Sequence, residues 1–170
     1  MLTGLALLFV GAVLFVNGIW LFGRIADREI VFINLFVGSI TFLIAMVTAL
    51  RVGAEIGTIK SAGLTLLFSG TYLWVATNRM FDFDGRGLGW FSLFIAVTVA
   101  PVAVQDLLAA ETVLGMWLAI SWGIWAGLWF MYFLLLTLGR PIQRATAWVT
   151  LLSGVITGWL PGILLLNGVQ

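Results

Sequence analysis

Residues 112–139 read TVLGMWLAISWGIWAGLWFMYFLLLTLG, 28 positions without a charge. A helix that spans a bilayer needs about 20 predominantly apolar residues. This run is apolar on every side and lacks the alternation of a barrel strand. Five more charge-free runs accompany it, at 1–23, 30–50, 61–78, 87–105 and 145–170. Short segments between the runs hold every charge in the chain, eight Lys or Arg and seven Asp or Glu. Backbone polar groups in lipid must be paired within the segment, so the six runs read as six helices. The 170 residues are 62% apolar and 9% charged, against about 25% charged in a soluble domain. The sequence therefore predicts an all-α membrane protein, one transmembrane domain over 1–170 with six helices in a twisted bundle. The first run has no Lys or Arg n-region and no A-x-A-like cleavage site, and reads as a span rather than a cleaved signal.

Loop charges set the orientation. The first, third and fifth loops carry Arg24, Arg28, Arg79, Arg86, Arg140 and Arg144; the second has Arg51 and Lys60, and the fourth has no basic residue. The odd loops should be cytoplasmic, with both termini outside.

Several whole functional classes are excluded. There is no Cys and no His, hence no disulfide, thiolate nucleophile, imidazole base or histidine pH switch. A net charge of +1 argues against nucleic acid as a partner. No paired-carboxylate site, Ser-His-Asp set, P-loop or metal-ligand cluster can be assembled. Asp82 and Asp84 sit in Phe81-Asp-Phe-Asp-Gly-Arg86 and read as a turn paired with arginine. The sequence implies neither a metal nor a cofactor. No ionisable residue falls clearly within a span; an ion or proton path normally shows some.

Inside the runs, departures from plain aliphatic content mark special faces. Leu118, Trp122, Trp125, Trp129 and Tyr132 fall within an arc of roughly 80° on a helix. An interfacial aromatic belt occupies one depth, whereas this stripe covers roughly 15 Å. It is a lengthwise wall, either lining a path or packed between helices. The first run puts Leu7, Val10, Leu14 and Asn17 on one face. Asn17 must bond across helices or line a wet cavity. The third offers Thr71, Trp74 and Asn78 on one face, with Tyr72 beside them. The sixth offers Ser153 and Thr157, hydroxyls that most often bond their own backbone. Gly123/Gly127 and Gly154/Gly158 have the spacing that permits close helix approach. Pro101 and Pro161 should kink their helices. The likeness of Leu67-Phe-Ser-Gly70 to Leu151-Leu-Ser-Gly154 suggests a three-plus-three inverted repeat. A tryptophan-lined seam without ionic chemistry suits a small, uncharged polar solute. The reading from another class is a non-transporting structural subunit, in which the stripe is packing.

Three blocks of the chain resemble the bacterial urea-channel and amide-transporter family, AmiS/UreI. They are Leu7-Leu-Phe-Val-Gly-Ala-Val-Leu-Phe-Val-Asn17-Gly18-Ile; Phe68-Ser-Gly-Thr-Tyr72-Leu-Trp-Val-Ala-Thr-Asn78, followed by Gly89-Trp-Phe-Ser-Leu-Phe-Ile-Ala-Val97 and Pro101; and Trp122, Trp125, Leu128 and Trp129, running through Arg140-Pro141 to Trp148, Gly154, Trp159 and Pro161. The resemblance implies a homo-hexamer in the inner membrane, each protomer with its own pore, passing urea or short-chain amides down their gradient. It places a tryptophan constriction at Trp122, Trp125 and Trp129. Aliphatic pore positions fall at Leu7, Val10 and Leu14, and an aromatic one at Trp74. Acid-gated members have histidines in a long outer loop and a carboxylate in span six. Here that loop, about 51–60, has no His, and Ser153 replaces the carboxylate. Acid gating is not expected, and an amide substrate is favoured.

Overall fold

The computed structural model describes residues 1–169, and every regular element among them is helical. The helices are α1 (Leu2–Leu21), α2 (Ile30–Ala49), α3 (Ile56–Met80), α4 (Arg86–Ala109), α5 (Val113–Leu136) and α6 (Gln143–Leu166). Gly23 and Gly139 follow α1 and α5 with φ of +74° and +61°, the left-handed conformation that glycine adopts without steric cost.

Five of the six are long and apolar enough to cross a membrane; α3 is not. Its hydroxyls, however, are bonded internally. Thr65, Thr71 and Thr77 each donate to the carbonyl four residues back, at 2.9, 2.8 and 2.8 Å. Ser69 donates to the Gly38 carbonyl of α2 at 2.7 Å. These bonds lower the cost of placing so polar a helix in lipid. It also starts earlier than the charge-free run predicts. Lys60 lies on it and reaches the Gln105 side chain at 3.4 Å.

The closest partnerships are α1 with α6, α2 with α3, and α4 with α5. An inverted three-plus-three repeat would make α5·α6 resemble α2·α3, but α5 and α6 touch only lightly. The pairing recurs every two helices, so the four-residue likeness at Ser69 and Ser153 does not report a packing repeat. Ser69 is bonded to α2, whereas the buried Ser153 hydroxyl has no partner among the described residues.

The α1·α6 contact is built from missing side chains. A Cβ on Gly154 would lie 2.7 Å from the Phe15 backbone nitrogen. One on Gly158 would lie 2.6 Å from Gly11 Cα, and one on Gly162 2.7 Å from the Leu8 nitrogen. The Gly154/Gly158 spacing is therefore used as predicted. The Gly123/Gly127 spacing is not: Gly127 has no neighbour within 4 Å, and Gly123 meets only Ala103, at 3.9 Å. The discontinuity expected near Pro161 is a π turn, Gly154–Trp159, between α-helical Gln143–Ser153 and Leu160–Leu166. Pro101, by contrast, lies within an unbroken α4.

Candidate functional site

Three cavities follow one another through the bundle. A wide vestibule of about 410 Å³ lies at the end that carries Met1 and the α2–α3 loop, lined by Leu7, Val10, Arg51, Phe68, Trp122 and Trp125 among others. Phe68 and Trp125 are also walls of an inner cavity of about 30 Å³, with Leu14, Asn17, Thr71, Tyr72, Leu128, Trp129 and Tyr132. That cavity in turn shares Val75, Leu88 and Tyr132 with a third space of about 30 Å³, bounded by Trp20, Asn78, Arg79 and Gly85 at the opposite end. Shared walls make the three spaces one interrupted path. The inner spaces have room for little more than a water molecule.

The wall between the vestibule and the inner cavity is aromatic. Phe68 stands edge-on to Trp125, with centroids 4.8 Å apart at 84°, and packs on Trp129 at 4.7 Å. Trp122 stands edge-on to Trp125 at 5.0 Å from the vestibule side. The Trp125 and Trp129 indole N–H groups are not free donors. Trp125 Nε1 donates to Thr157 Oγ1 at 2.7 Å, and Trp129 Nε1 to Thr71 Oγ1 at 3.3 Å. Thr157 in turn donates to the Ser153 carbonyl at 2.6 Å. Such bonds fix ring orientation: the Trp125 donor is held behind the path by Thr157, and the Trp129 donor is taken by Thr71 at the cavity wall.

Two polar groups border the inner cavity differently. Asn17 and Asn34 exchange side-chain amide bonds, at 3.0 and 2.8 Å, and Asn34 also donates to the Ile30 carbonyl at 2.9 Å. Asn17 therefore both bonds across helices and lines the cavity. The Tyr72 hydroxyl is buried without a partner. A buried orphan hydroxyl costs free energy unless something visiting the cavity bonds it.

At the far mouth, Trp20 Nε1 donates to Asp27 at 2.8 Å, and Arg79 pairs with the same carboxylate at 3.1 Å. The Trp20 hydrogen bond, and after it Arg79, hold the Asp27 carboxyl below its ordinary range against slight burial. Asp84 is likewise held down by Arg86, which binds it through side chain and backbone; Asp82 approaches Arg28 at 3.8 Å.

The structure thus gathers Leu7, Val10, Trp122 and Trp125 at the vestibule and Leu14, Asn17, Thr71, Tyr72, Leu128 and Trp129 at the inner cavity. Asn78 borders the far mouth, and Thr157 stands behind Trp125. Besides Thr157, two residues are not brought to the path. Ser153 is buried but borders none of the three spaces. Trp74 is 38% exposed and stacked on Phe91 at 5.5 Å. The inward face of α3 centres on Phe68, Tyr72 and Val75, and Trp74 is turned about 125° from it. Sequence reasoning missed Phe68 and Ser92 as lining residues. Tyr132 lay on the recognised stripe, and Phe68 shares a helical face with Thr71, Tyr72 and Val75.

Membrane-crossing helices around a walled path define an integral membrane transport protein. More narrowly, the chain belongs to the AmiS/UreI family: the model for AmiS/UreI family transporters matches residues 2–169. It is 41% identical over 167 residues to a Mycolicibacterium smegmatis protein named for the transport of amidate substrates, covering 97% of this chain and 76% of that one. It is 34% identical over 189 aligned positions to the acid-activated urea channel of Helicobacter pylori, covering 96% and 97%. The crystal structure of the Helicobacter pylori urea channel superposes with a TM-score of 0.86 over 99% of this chain and 98% of that one, at 34% identity. The closed-state cryo-EM structure gives 0.85.

Proposed function

We propose that the protein is a passive conduit for urea and short-chain aliphatic amides. Each protomer of a homo-hexamer in the bacterial inner membrane would carry its own pore, with vestibule and termini outside. The observation that carries this reading is the sequence of cavities with shared walls, interrupted by Phe68 and Trp125. A planar amide can slip edge-first past the fixed Trp125 indole once the Phe68 ring swings aside. An ion would be stripped of water there without a compensating charge, at a cost of several kcal/mol or more; a neutral amide loses much less. The Tyr72 hydroxyl is the polar group free to bond the amide in transit. The Trp125 and Trp129 N–H groups, already engaged with Thr157 and Thr71, hold those rings.

The same path supports transport without acid gating. No carboxylate lines the three spaces among the described residues, and the chain has no His. Asp27, at the far mouth, is kept ionised by its partners. The test is stopped-flow uptake of urea, formamide, acetamide and propionamide by vesicles holding the purified protein. Uptake above that of protein-free vesicles is expected, with the same rate at roughly pH 5 and 7.5, the window in which His would titrate. Absence of uptake would favour a structural subunit.

A further inference from the structure

The π turn in α6 leaves one carbonyl open, and a distant indole closes it. Within the turn the Leu160 N–H bonds the Val155 carbonyl, five residues back. By the same spacing the next carbonyl, Ile156, faces Pro161, which has no N–H to offer. Trp117 of α5 donates its Nε1–H to Ile156 instead, at 3.0 Å. One residue further on, Thr157 receives the indole N–H of Trp125, also from α5, at 2.7 Å. Two indoles of one helix thus clasp consecutive residues of the other. Return to α spacing would turn α6 by about 100° per residue of register and carry the Thr157 hydroxyl away from Trp125.

We infer that Trp117 is a positioning residue for the constriction: by closing the carbonyl that Pro161 leaves open, it holds the π register that fixes the Trp125 indole across the path. This rests on the reading of the Phe68–Trp125 contact as the narrow point for amides. Trp117 itself is half-buried and lines none of the three spaces. Its influence runs through Ile156 and Thr157 to Trp125.

The test uses the full chain with ¹⁵N-labelled indoles, the Trp125 N–H resonance being assigned by its loss in Trp125→Phe. Trp117→Phe keeps a ring and removes the donor. It should shift the Trp125 resonance and change the urea-to-propionamide flux ratio roughly fivefold, the bias one neutral hydrogen bond can hold. Adding Pro161→Ala returns an N–H to Ile156 and should restore both. If Trp117→Phe lowers the yield of folded protein instead, Pro161→Ala should recover that yield. An unmoved Trp125 resonance in folded Trp117→Phe overturns the inference, and so does a failure of Pro161→Ala to restore whatever was lost. Should the parent protein pass no amide, the transport reading fails while the resonance test still decides the role of Trp117.

Discussion

Along α1 and α6 the bundle is held by backbone against backbone; along α3 and α5 it is held by ring against ring. The first contact has no room for a Cβ at Gly154, Gly158 or Gly162. The second leaves spaces on both sides of Phe68 and Trp125. Close approach through glycine makes a wall that cannot open without separating two helices. Contact through aromatic tips makes a barrier that can open by side-chain rotation alone. One helix, α6, takes part in both, since Gly154 and Gly158 face α1 while Thr157 faces Trp125.

This contrast can be broken by substitution. Trp125→Ala should have the largest effect, about 3–5 kcal/mol of stability if the ring behaves as a buried aromatic generally does. Chemical or thermal unfolding of the detergent-solubilised oligomer measures it. Gly158→Ala comes next. Its methyl meets Gly11 backbone, which has no rotamer to yield, so about 1–3 kcal/mol should be lost, as in overpacked cores. Asn34→Ala should cost a comparable 1–3 kcal/mol or slightly less, because Asn17 is left without its amide partner beside the inner cavity. Gly127→Ala sharpens the contrast from the other side. With nothing within 4 Å, it should change protomer stability by no more than about 0.5 kcal/mol, and a larger loss would place an unseen neighbour there. The smallest effect concerns pH. The Asp27 carboxyl is held below its ordinary value of 3.8, so its contribution is fully present above that value and is lost as pH falls through the lower folded one. Unfolding temperature should be flat from roughly pH 5 to 7.5 and decline only in stronger acid.

Much of the fold was legible because charge is excluded from lipid: the placement of 15 charged residues delimited the spans. The helix termini moved by a few residues where Lys60 and the residues before it could extend α3 beyond the apolar run. The α5 stripe was legible too, since five residues at helical spacing need only one element to be read. What failed required knowledge of two elements at once. Trp74 was placed on one face with Thr71 and Asn78 by helical spacing and at the pore by the family resemblance, but the inward arc of α3 is set by what α5 presents to Phe68. Phe68 carries no polar mark in an apolar run, and its importance arises from rings up to 61 positions away in sequence, at Trp129. The Trp117–Ile156 bond joins residues 39 apart, and Pro161 alone signals a break without saying what fills it. Both G-x-x-x-G spacings look alike in sequence; only the packing distinguishes the one that is used.

The central claim is that the ring contact between Phe68 and Trp125 sets what passes. The direct measurement is the relative flux of urea, acetamide and propionamide through vesicles holding the parent protein, Phe68→Ala or Trp125→Ala, each normalised to folded oligomer. The account predicts that both variants admit the larger amide more readily, so that the urea-to-propionamide ratio falls several-fold. Ratios unchanged in both, with folded protein present, would contradict it.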